Sequence, residues 1–314
     1  MKGAGEKPAP SFPLPYLPSL FKISPMNILE RLQNGEIIIC DGAMGTLLQS
    51  RGLPLGVAPE EWNLTHPDAV AQIHREYLEA GAEIVETNTF GANRIKLSLS
   101  NLGEKVEEIN REAVRIAREA VGDKAYVALS VGPTGRLLEP FGDLPFEEAL
   151  KAYREQMMFA LKENFDFAIL ETFSDLQELR AAVLAANELG VMPICTMTYE
   201  ASGRTIMGIS PEREIEELDK MGVKIMGTNC GTGPEDMLNV VEKLAKNRPQ
   251  GIYLIAQPNA GVPKLVEGRT VFDATPEKMA DYAEKYVALG VNIVGACCGS
   301  TPAHIKAIRE RVKK

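Results

Sequence analysis

Eight short apolar runs recur along the chain, and each is followed by turn residues and then by apolar positions at helical spacing. The runs occupy residues 36–45, 82–92, 125–135, 167–175, 192–203, 224–234, 252–261 and 292–300. Most are apolar throughout, which is typical of parallel strands buried on both faces. Several helical segments end on glycine, at Gly81, Gly190 and Gly290, as helices commonly do. The pattern therefore predicts eight βα units.

Eight βα units in 314 residues have the size and count of a (β/α)₈ TIM barrel, an α/β fold. The alternative is a doubly wound open sheet. The loop at residues 41–46 lacks the third glycine of a dinucleotide fingerprint, so it gives that alternative little support. We expect a single barrel domain over residues 26–314, preceded by an extended, Pro-rich tail over residues 1–25.

Charge and composition narrow the function classes. The net charge of −9 argues against a nucleic-acid or anionic-membrane partner, since either would need a basic face. No apolar stretch is long enough to span a bilayer, and the first residues lack the apolar core of a secretory signal. We therefore expect a cytoplasmic protein whose thiols stay reduced.

Polar residues and thiols lie at the ends of the predicted strands. In a TIM barrel the carboxyl ends of the strands share one rim, and catalytic residues lie there. The residues at these ends are Asp41, Glu86, Asn88, Thr89, Glu171, Asn229, Cys230, Asn259, Cys297 and Cys298. The barrel prediction therefore gathers these side chains around one opening.

Three of the five cysteines, Cys230, Cys297 and Cys298, belong to this rim. They follow the sixth and eighth strands, which lie close enough around a barrel for three sulfurs to meet at one Zn²⁺ ion. Gly295 and Gly299 flank the adjacent pair and favour the turn that such a site requires. The alternative is that all three are buried cysteines that happen to end strands, since no CxxC spacing is present.

Other potential ligands are less well placed. Cys40 and Cys195 lie within predicted strands and are expected to be small core residues. The histidines at positions 66, 74 and 304 all lie away from the strand ends and are expected to be packing or surface residues. Three protein ligands and an open fourth position are typical of catalytic zinc.

An open zinc site with three thiolates suits a substrate thiol, because its net negative charge makes it a weak activator of carbonyl groups. Thiols with a pKa of about 8.5 are mostly protonated at neutral pH, and coordination removes that proton. Alkylation of a thiol is the predicted chemistry. Asp41 and Glu171 would hold an ammonium group, and the backbone of the Gly42–Thr46 loop a carboxylate. Alternatively, Asp41 and Asp175 are helix caps.

Seven motifs together resemble the homocysteine S-methyltransferase family, and most closely the homocysteine-binding barrel of cobalamin-dependent methionine synthases. In chain order they are DGAMGTLLQ, ETNTFGAN, GPTG, LETFSDLQELRAAVLA, TNCGTGP, QPNAGVP and GACCGSTPAHI. The pairing of Asn-Cys with Gly-x-Cys-Cys-Gly is the most specific of these features. One departure is Ala296, where the family usually has a second glycine before the paired cysteines.

The resemblance implies a role for each matching position. Cys230, Cys297 and Cys298 match the zinc-binding cysteines of the family. The positions implied to bind homocysteine or to line its pocket are Asp41, Gly42, Ala43, Asn88, Thr89, Phe90, Glu171 and Asn229. Asn229 matches the residue beside the metal, and Asp41 and Glu171 are among those that hold the amino and carboxylate groups.

The implied reaction is zinc-dependent transfer of a methyl group to the thiol of L-homocysteine, which gives methionine. The expected donor is methylcobalamin on a separate domain or corrinoid protein, so cobalamin would enter only through that partner. Stand-alone relatives use betaine or S-methylmethionine, and a quaternary ammonium donor would need an aromatic cage, for which Trp62 is weak support. An aldolase or phosphate-binding barrel is disfavoured because Lys96 and Lys264 lie beyond the strand ends. A zinc-stabilised binding module is the non-enzymatic alternative.

Overall fold

The computed structural model describes residues 27–266 and 269–313, and the predicted extended tail over residues 1–25 lies outside the described residues. Eight strands of one parallel sheet form the centre, and two more form a hairpin. In chain order the strands are β1 (Ile38–Ile39), β2 (Ile84–Glu86), β3 (Tyr126–Val131), β4 (Phe167–Phe173), β5 (Pro193–Met197), β6 (Ile225–Asn229), β7 (Tyr253–Gln257), β8 (Lys264–Val266), β9 (Arg269–Val271) and β10 (Ile293–Val294).

The parallel sheet closes on itself. Its strands follow the order β1-β10-β7-β6-β5-β4-β3-β2, and a parallel bridge between Cys40 and Ile84 joins the two outermost strands. Two backbone hydrogen bonds complete the closure, from Glu83 N to Ile39 O at 2.8 Å and from Asp41 N to Ile84 O at 3.0 Å. The TIM-barrel prediction is therefore confirmed, and each of the eight predicted runs contains one barrel strand.

Helices surround the barrel. They are α1 (Ile28–Gln33), α2 (Gly45–Ser50), α3 (Trp62–Thr65), α4 (Pro67–Ala80), α5 (Arg94–Ser98), α6 (Val106–Val121), α7 (Phe146–Ala160), α8 (Leu176–Glu188), α9 (Pro211–Lys220), α10 (Pro234–Asn247), α11 (Pro276–Ala288) and α12 (Pro302–Val312). Short 3₁₀ turns cover Pro59–Glu61 and Gly103–Lys105. No helix among the described residues is both long enough and apolar enough to cross a membrane.

The hairpin of β8 and β9 was not predicted from the sequence. Its strands pair antiparallel within the connection between β7 and α11. Lys264 at its start forms an ion pair with Asp273. The hairpin does not interrupt the barrel, because β7 pairs with β10 as its neighbour.

Alternation along the strands divides the apolar residues into two layers. The inner cluster is dominated by isoleucines, at positions 38, 84, 169, 194, 225, 255 and 293. Ile28 and Leu32 of α1 pack into this cluster and close the amino-terminal end of the barrel. The intervening strand residues, such as Ile39 and Val85, pack outward against the helices, as a strand period of two requires.

The inner layer becomes polar at the carboxyl-terminal end. Two positions beyond an inner apolar residue, on the same side of its strand, lie Glu86, Ser130, Glu171, Thr196 and Gln257, and Asn229 lies four positions beyond Ile225. The barrel therefore has an apolar interior with a polar floor at the rim where catalytic residues lie in this fold.

The closure of the barrel by α1 can be tested with Leu32→Ala. Leu32 is 2% exposed, so its truncation should leave a cavity and lower the free energy of unfolding by about 2–5 kcal/mol. Urea denaturation followed by circular dichroism measures the change. Leu55→Ala is the control, since Leu55 is 82% exposed and its loss should cost less than about 0.5 kcal/mol. Equal effects of the two substitutions would contradict a packing role for Leu32.

Candidate active site

The three predicted rim thiols meet at one point. Cys230 follows β6, and Cys297 and Cys298 follow β10. The Sγ atom of Cys298 lies 4.0 Å from the Sγ atoms of both Cys230 and Cys297, and all three sulfurs lie within 4.8 Å of one another. The cysteines are free thiols, so the cluster is a set of three potential ligands.

The backbone beyond β7 holds the two cysteine segments together. Cys230 N donates to Gln257 O at 3.0 Å, and Cys297 N donates to Pro258 O at 2.8 Å. Ala260 N then donates to Cys298 O at 2.9 Å. The segment Gln257–Ala260 therefore lies between the two loops and bonds to both, which gives the Gln-Pro-Asn-Ala motif a structural role.

The cysteine loops leave strand geometry, as the adjacent pair required. Cys230 adopts a left-handed conformation with φ of 58°, which costs roughly 1–3 kcal/mol for a residue with a side chain. Gly299 has φ of 80°, and a Cβ there would lie 2.1 Å from the Phe272 ring. Ala296 is not among the residues with positive φ, so the alanine fits where the family usually has glycine.

Hydrogen bonds within the cluster separate the acidities of the thiols. Cys297 and Cys298 donate to the Cys230 sulfur and lower the pKa of Cys230 to about 3. The same bonds, together with burial, raise the pKa of Cys297 well above its usual range. The hydrogen bond to Cys230 is also the main cause that raises the pKa of Cys298, to about 12. Without a metal ion the cluster therefore carries one thiolate and two thiols.

Two carboxyl groups, those of Glu86 and Glu171, belong to the floor beside the thiols, and the carboxyl group of Asp41 lies behind it. Burial raises the pKa of Glu171 well above its usual range, and Glu86, to which it is hydrogen-bonded, raises it further. Burial also raises the pKa of Glu86 and of Asp41. Glu86 accepts a hydrogen bond from Gln257 Nε2 at 2.6 Å, and Glu171 accepts one from the Ser130 hydroxyl. These buried acids favour their neutral forms unless a cation approaches.

Asn229 links the floor to the thiols. Its Oδ1 atom accepts from Thr172 N and from Thr196 Oγ1, both at 2.8 Å. Its Nδ2 atom donates to Glu171 at 3.0 Å and lies 4.0 Å from Cys297 Sγ. The amide therefore joins three strands and fixes the position of the Glu171 carboxyl group.

The loop after β1 packs closely on the start of α12. Ala43 N donates to Ser300 Oγ at 3.0 Å, and the Tyr77 hydroxyl donates to Ala43 O at 2.9 Å. A Cβ at Gly42 would lie 2.4 Å from Ser300 Oγ, so only glycine fits at this position.

A cavity of about 590 Å³ opens above the thiols and the floor. Eight of the residues predicted to form the site line it, namely Gly42, Ala43, Asn88, Phe90, Glu171, Cys230, Cys297 and Cys298. The lining does not include Asp41, Thr89 or Asn229, which lie behind it. Asp41 is not a helix cap but accepts from Glu86 N at 3.0 Å, and the Thr89 hydroxyl donates to Ser130 O at 2.7 Å.

The structure adds lining residues that the predicted set left out. They include Ser130, Gln257 and Thr172 on the floor and Lys96 and Glu60 nearer the opening. Glu86 was recognised at a strand end but was not assigned to the site. The alternation of inward positions marks Glu86, Ser130 and Gln257 as floor residues once the strands are known. No such pattern marks Lys96, which lies on α5, or Glu60, which lies in the 3₁₀ turn Pro59–Glu61.

The remaining sequence candidates have structural roles. Cys195 in β5 and Cys40, directly after β1, are fully buried, as predicted for core residues. Asp175 caps α8 through Gln177 N, and His66 stacks on Trp62. Cys40, Asp41 and Glu86 form a second close group, but Cys40 Sγ donates to Glu86 at 3.3 Å, so hydrogen bonds already join its members.

The fold and the site together define a TIM-barrel protein with three thiols at its catalytic rim. Residues 38–312 match the profile of the homocysteine S-methyltransferase family, and the chain belongs to this family. The resemblance inferred from the motifs is therefore confirmed.

Relatives agree with this assignment, and a solved structure shares the fold. The chain is 33% identical over 307 residues to the methionine synthase of Mycobacterium leprae (strain TN), covering 92% of this chain and 25% of that protein. It is 32% identical to the methionine synthase of Mycobacterium tuberculosis (strain ATCC 25618 / H37Rv), covering 88% of this chain and 25% of that protein. The chain thus spans about a quarter of the length of these relatives. The metallated homocysteine methyltransferase MmuM of Escherichia coli shares the fold, with a TM-score of 0.76, 22% identity and coverage of 91% of this chain and 100% of that one.

The low pKa of Cys230 gives a pH prediction for the metal-free protein. Because its pKa is lowered to about 3, Cys230 is a thiolate both at pH 6 and at pH 9. Its alkylation by iodoacetamide should therefore change by less than about threefold over this interval, whereas an ordinary thiol accelerates roughly a hundredfold. Peptide mass spectrometry measures the rates. The double variant Cys297→Ala/Cys298→Ala should restore the ordinary dependence, and a steep dependence in the wild type would contradict the assignment.

Proposed function

We propose that this chain transfers a methyl group to the thiol of L-homocysteine, giving methionine, at a zinc ion held by Cys230, Cys297 and Cys298. The observation that carries the proposal is the convergence of three free thiols, within 4.8 Å of one another, at the base of a cavity. Family membership supports the acceptor and the reaction.

The sulfur cluster fits a zinc ion. Tetrahedral zinc with Zn–S bonds near ~2.3 Å separates its sulfurs by about 3.8 Å, close to the 4.0 Å between Cys298 Sγ and each of its two neighbours. Three thiolates are a donor set that zinc favours, and they leave a fourth position. A zinc ion held by the three cysteines would supply the Lewis acidity that favours loss of the thiol proton of homocysteine at neutral pH.

The floor supplies a site for the ammonium group of the acceptor. Glu86 and Glu171 line the cavity and are hydrogen-bonded to each other. A bound ammonium group would favour ionisation of both, since an opposite charge offsets the cost of burying them. Asp41, which lies behind the floor, would help to position Glu86 by accepting a hydrogen bond from its backbone N–H group. Asn229 would fix Glu171 in place through the hydrogen bond of 3.0 Å.

The Gly42–Thr46 loop is our candidate for the carboxylate of the acceptor. All five of its residues line the cavity, and backbone N–H groups of such loops bind anions. Its fixed position on Ser300 and Tyr77 would place the carboxylate on one wall while the ammonium group lies on the floor. Homocysteine would then be held at both ends with its thiol towards the cysteines.

We propose methylcobalamin, carried on a separate domain or protein, as the methyl donor. The relatives at 33% and 32% identity are named methionine synthases and are about four times as long as this chain. Their names and length support a donor carried outside the barrel. The cytoplasm is the proposed compartment, because the mechanism needs all three thiols in their reduced state.

Betaine or S-methylmethionine is the alternative donor. Trp62, the candidate for an aromatic cage, is buried, stacks on His66 with ring centroids 4.3 Å apart, and is not part of the lining. Phe90 is the one aromatic residue among the described residues that line the cavity. A single ring is weaker support for a quaternary ammonium donor than a cage would be.

Metal content and methionine formation test the proposal together. We expect about one zinc per chain by atomic emission, and methionine from homocysteine with at least one of methylcobalamin, betaine and S-methylmethionine. Cys298→Ala should lose both, because two sulfurs bind zinc far more weakly than three. Cys195→Ala, in a buried strand, is the matched control and should keep both.

Failure takes two recognisable forms. Zinc-loaded protein that forms no methionine with any of the three donors would defeat the proposed reaction. Unfolding on chelation, seen by circular dichroism, would favour a zinc-stabilised binding module. A catalytic site on a complete barrel should instead lose activity while the helices remain.

The role of Glu171 can be tested with Glu171→Gln. Loss of the charge should raise the KM for homocysteine about tenfold, because a charge-assisted hydrogen bond to the ammonium group is lost. With 4-sulfanylbutanoate, which lacks the amino group, the wild type and the variant should have similar KM values. Steady-state kinetics with both acceptors distinguishes this role from a general structural one, in which both KM values would rise.

A further inference from the structure

The outer part of the cavity is larger than the acceptor needs. Its total volume of about 590 Å³ lies within the roughly 300–1000 Å³ of sites that bind drug-sized ligands, well beyond what homocysteine fills. The inner lining is the polar floor with the thiols. The outer lining includes Val57, Ala58, Phe90, Leu97 and Leu99, of which Phe90 is 39% and Leu99 66% exposed. An apolar chamber therefore stands between the thiols and the solvent.

One cation faces this chamber. Lys96 on α5 is the only lysine or arginine among the described residues that line the cavity, whereas Glu60, Glu86 and Glu171 are acidic. Lys96 is exposed, and it forms no ion pair with any carboxylate of the described residues. The positive charge is thus at the opening, and the acidic groups at the floor are buried.

Two glycines leave room for the Lys96 side chain. A Cβ at Gly91 would lie 3.2 Å from Lys96 Cγ, and a Cβ at Gly135, where φ is +79°, would lie 3.0 Å from Lys96 Nζ. Gly132 leaves similar room for Phe90, since a Cβ there would lie 2.4 Å from the Phe90 ring. The Gly-Pro-Thr-Gly segment after β3 therefore supports both side chains at the opening.

A counter-charge for Glu60 is the competing explanation of Lys96. Glu60 is buried and accepts a hydrogen bond from Gly91 N at 2.6 Å. Lys96 lowers the pKa of Glu60, but burial is the larger effect, and the pKa of Glu60 is raised. The ammonium group therefore compensates the Glu60 carboxyl group only in part, and because it forms no ion pair with this or any other carboxylate of the described residues, it remains available to a ligand.

We propose that Lys96 binds an anionic group, a carboxylate or a phosphate, of the methyl donor and so orients the donor in the outer chamber. This inference rests on the proposed function. Lys96 is the one lysine or arginine among the described residues of the lining, so its positive charge attracts an anion to the opening and not to the floor. The methyl group of the donor then points inward, towards the thiols. The carboxylate of S-methylmethionine and the nucleotide phosphate of methylcobalamin both have the required chemistry.

Matched pairs of donors test the inference. Methylcobalamin is compared with methylcobinamide, which lacks the nucleotide phosphate, and S-methylmethionine with (3-aminopropyl)dimethylsulfonium, which lacks the carboxylate. The measurement uses the zinc-loaded protein and whichever pair of donors binds to it. Lys96→Gln should weaken the affinity for the anionic member of that pair by about tenfold and leave the affinity for the other member unchanged. Isothermal titration calorimetry measures both affinities, and the pair that responds identifies the source of the anionic group.

Two control variants accompany Lys96→Gln. Lys96→Arg keeps the charge and should keep most of the discrimination within the pair. Lys124→Gln removes an exposed positive charge from the turn before β3, at the opposite end of the barrel, and should change neither affinity. Where methionine is formed, Lys96→Gln should raise the KM for the anionic donor about tenfold and leave the KM for homocysteine unchanged.

The outcomes separate this inference from the proposed function. Equal weakening of both members of a pair would overturn it and favour the counter-charge role towards Glu60. Unchanged affinities in Lys96→Gln, or no binding of any of the four compounds to the wild type, would also overturn it. Selective weakening in a protein that forms no methionine would support the anion site and defeat the proposed reaction.

Discussion

The site depends on a backbone segment that carries none of its thiols. Gln257–Ala260 continues β7 between the loops of Cys230 and of the Cys297–Cys298 pair, and its peptide groups bond to both. Because β6, β7 and β10 are adjacent in the sheet, the spacing of the sulfurs is fixed by strand pairing and not by sequence proximity. The left-handed conformation of Cys230 is a local cost that these bonds offset.

The same alternation that builds the barrel core also builds the floor. Inward positions hold isoleucine through most of the barrel, and a polar inward residue follows further along each of the strands β2 to β7. The carboxyl groups of Glu86 and Glu171 placed there cannot be well solvated, so burial raises their pKa values. An acceptor with an ammonium group would offset that cost more effectively than water can. Under the proposed function, the position of the floor between an apolar core and an open cavity would favour an acceptor that carries an ammonium group.

The strands and helices of the barrel could be predicted well from the sequence, and the connections between them poorly. Uniformly apolar runs separated by helical periods predict buried parallel strands, and strand ends predict the rim, so Cys230, Cys297 and Cys298 could be grouped without coordinates. The β8–β9 hairpin was missed because it is short and packs outside the barrel. Two other features were also missed: Asp41 lies behind the cavity lining, and Asn229 contacts residues of three strands. Both depend on the direction in which each side chain points. Side-chain direction follows from tertiary packing, which residue spacing does not encode.

The two ends of the cavity differ in how firmly the fold determines them. The thiols and the floor residues stand on or next to barrel strands, so changing their position would require changing the sheet. The outer wall comes from the 56–60 segment and from residues 90–100, which lie beyond strand ends and tolerate substitution more readily. Under the proposed function, binding of the acceptor would therefore depend on the barrel strands, whereas selection of the donor would depend on the loops. A change of donor would need new residues in those loops and would leave the thiol chemistry in place.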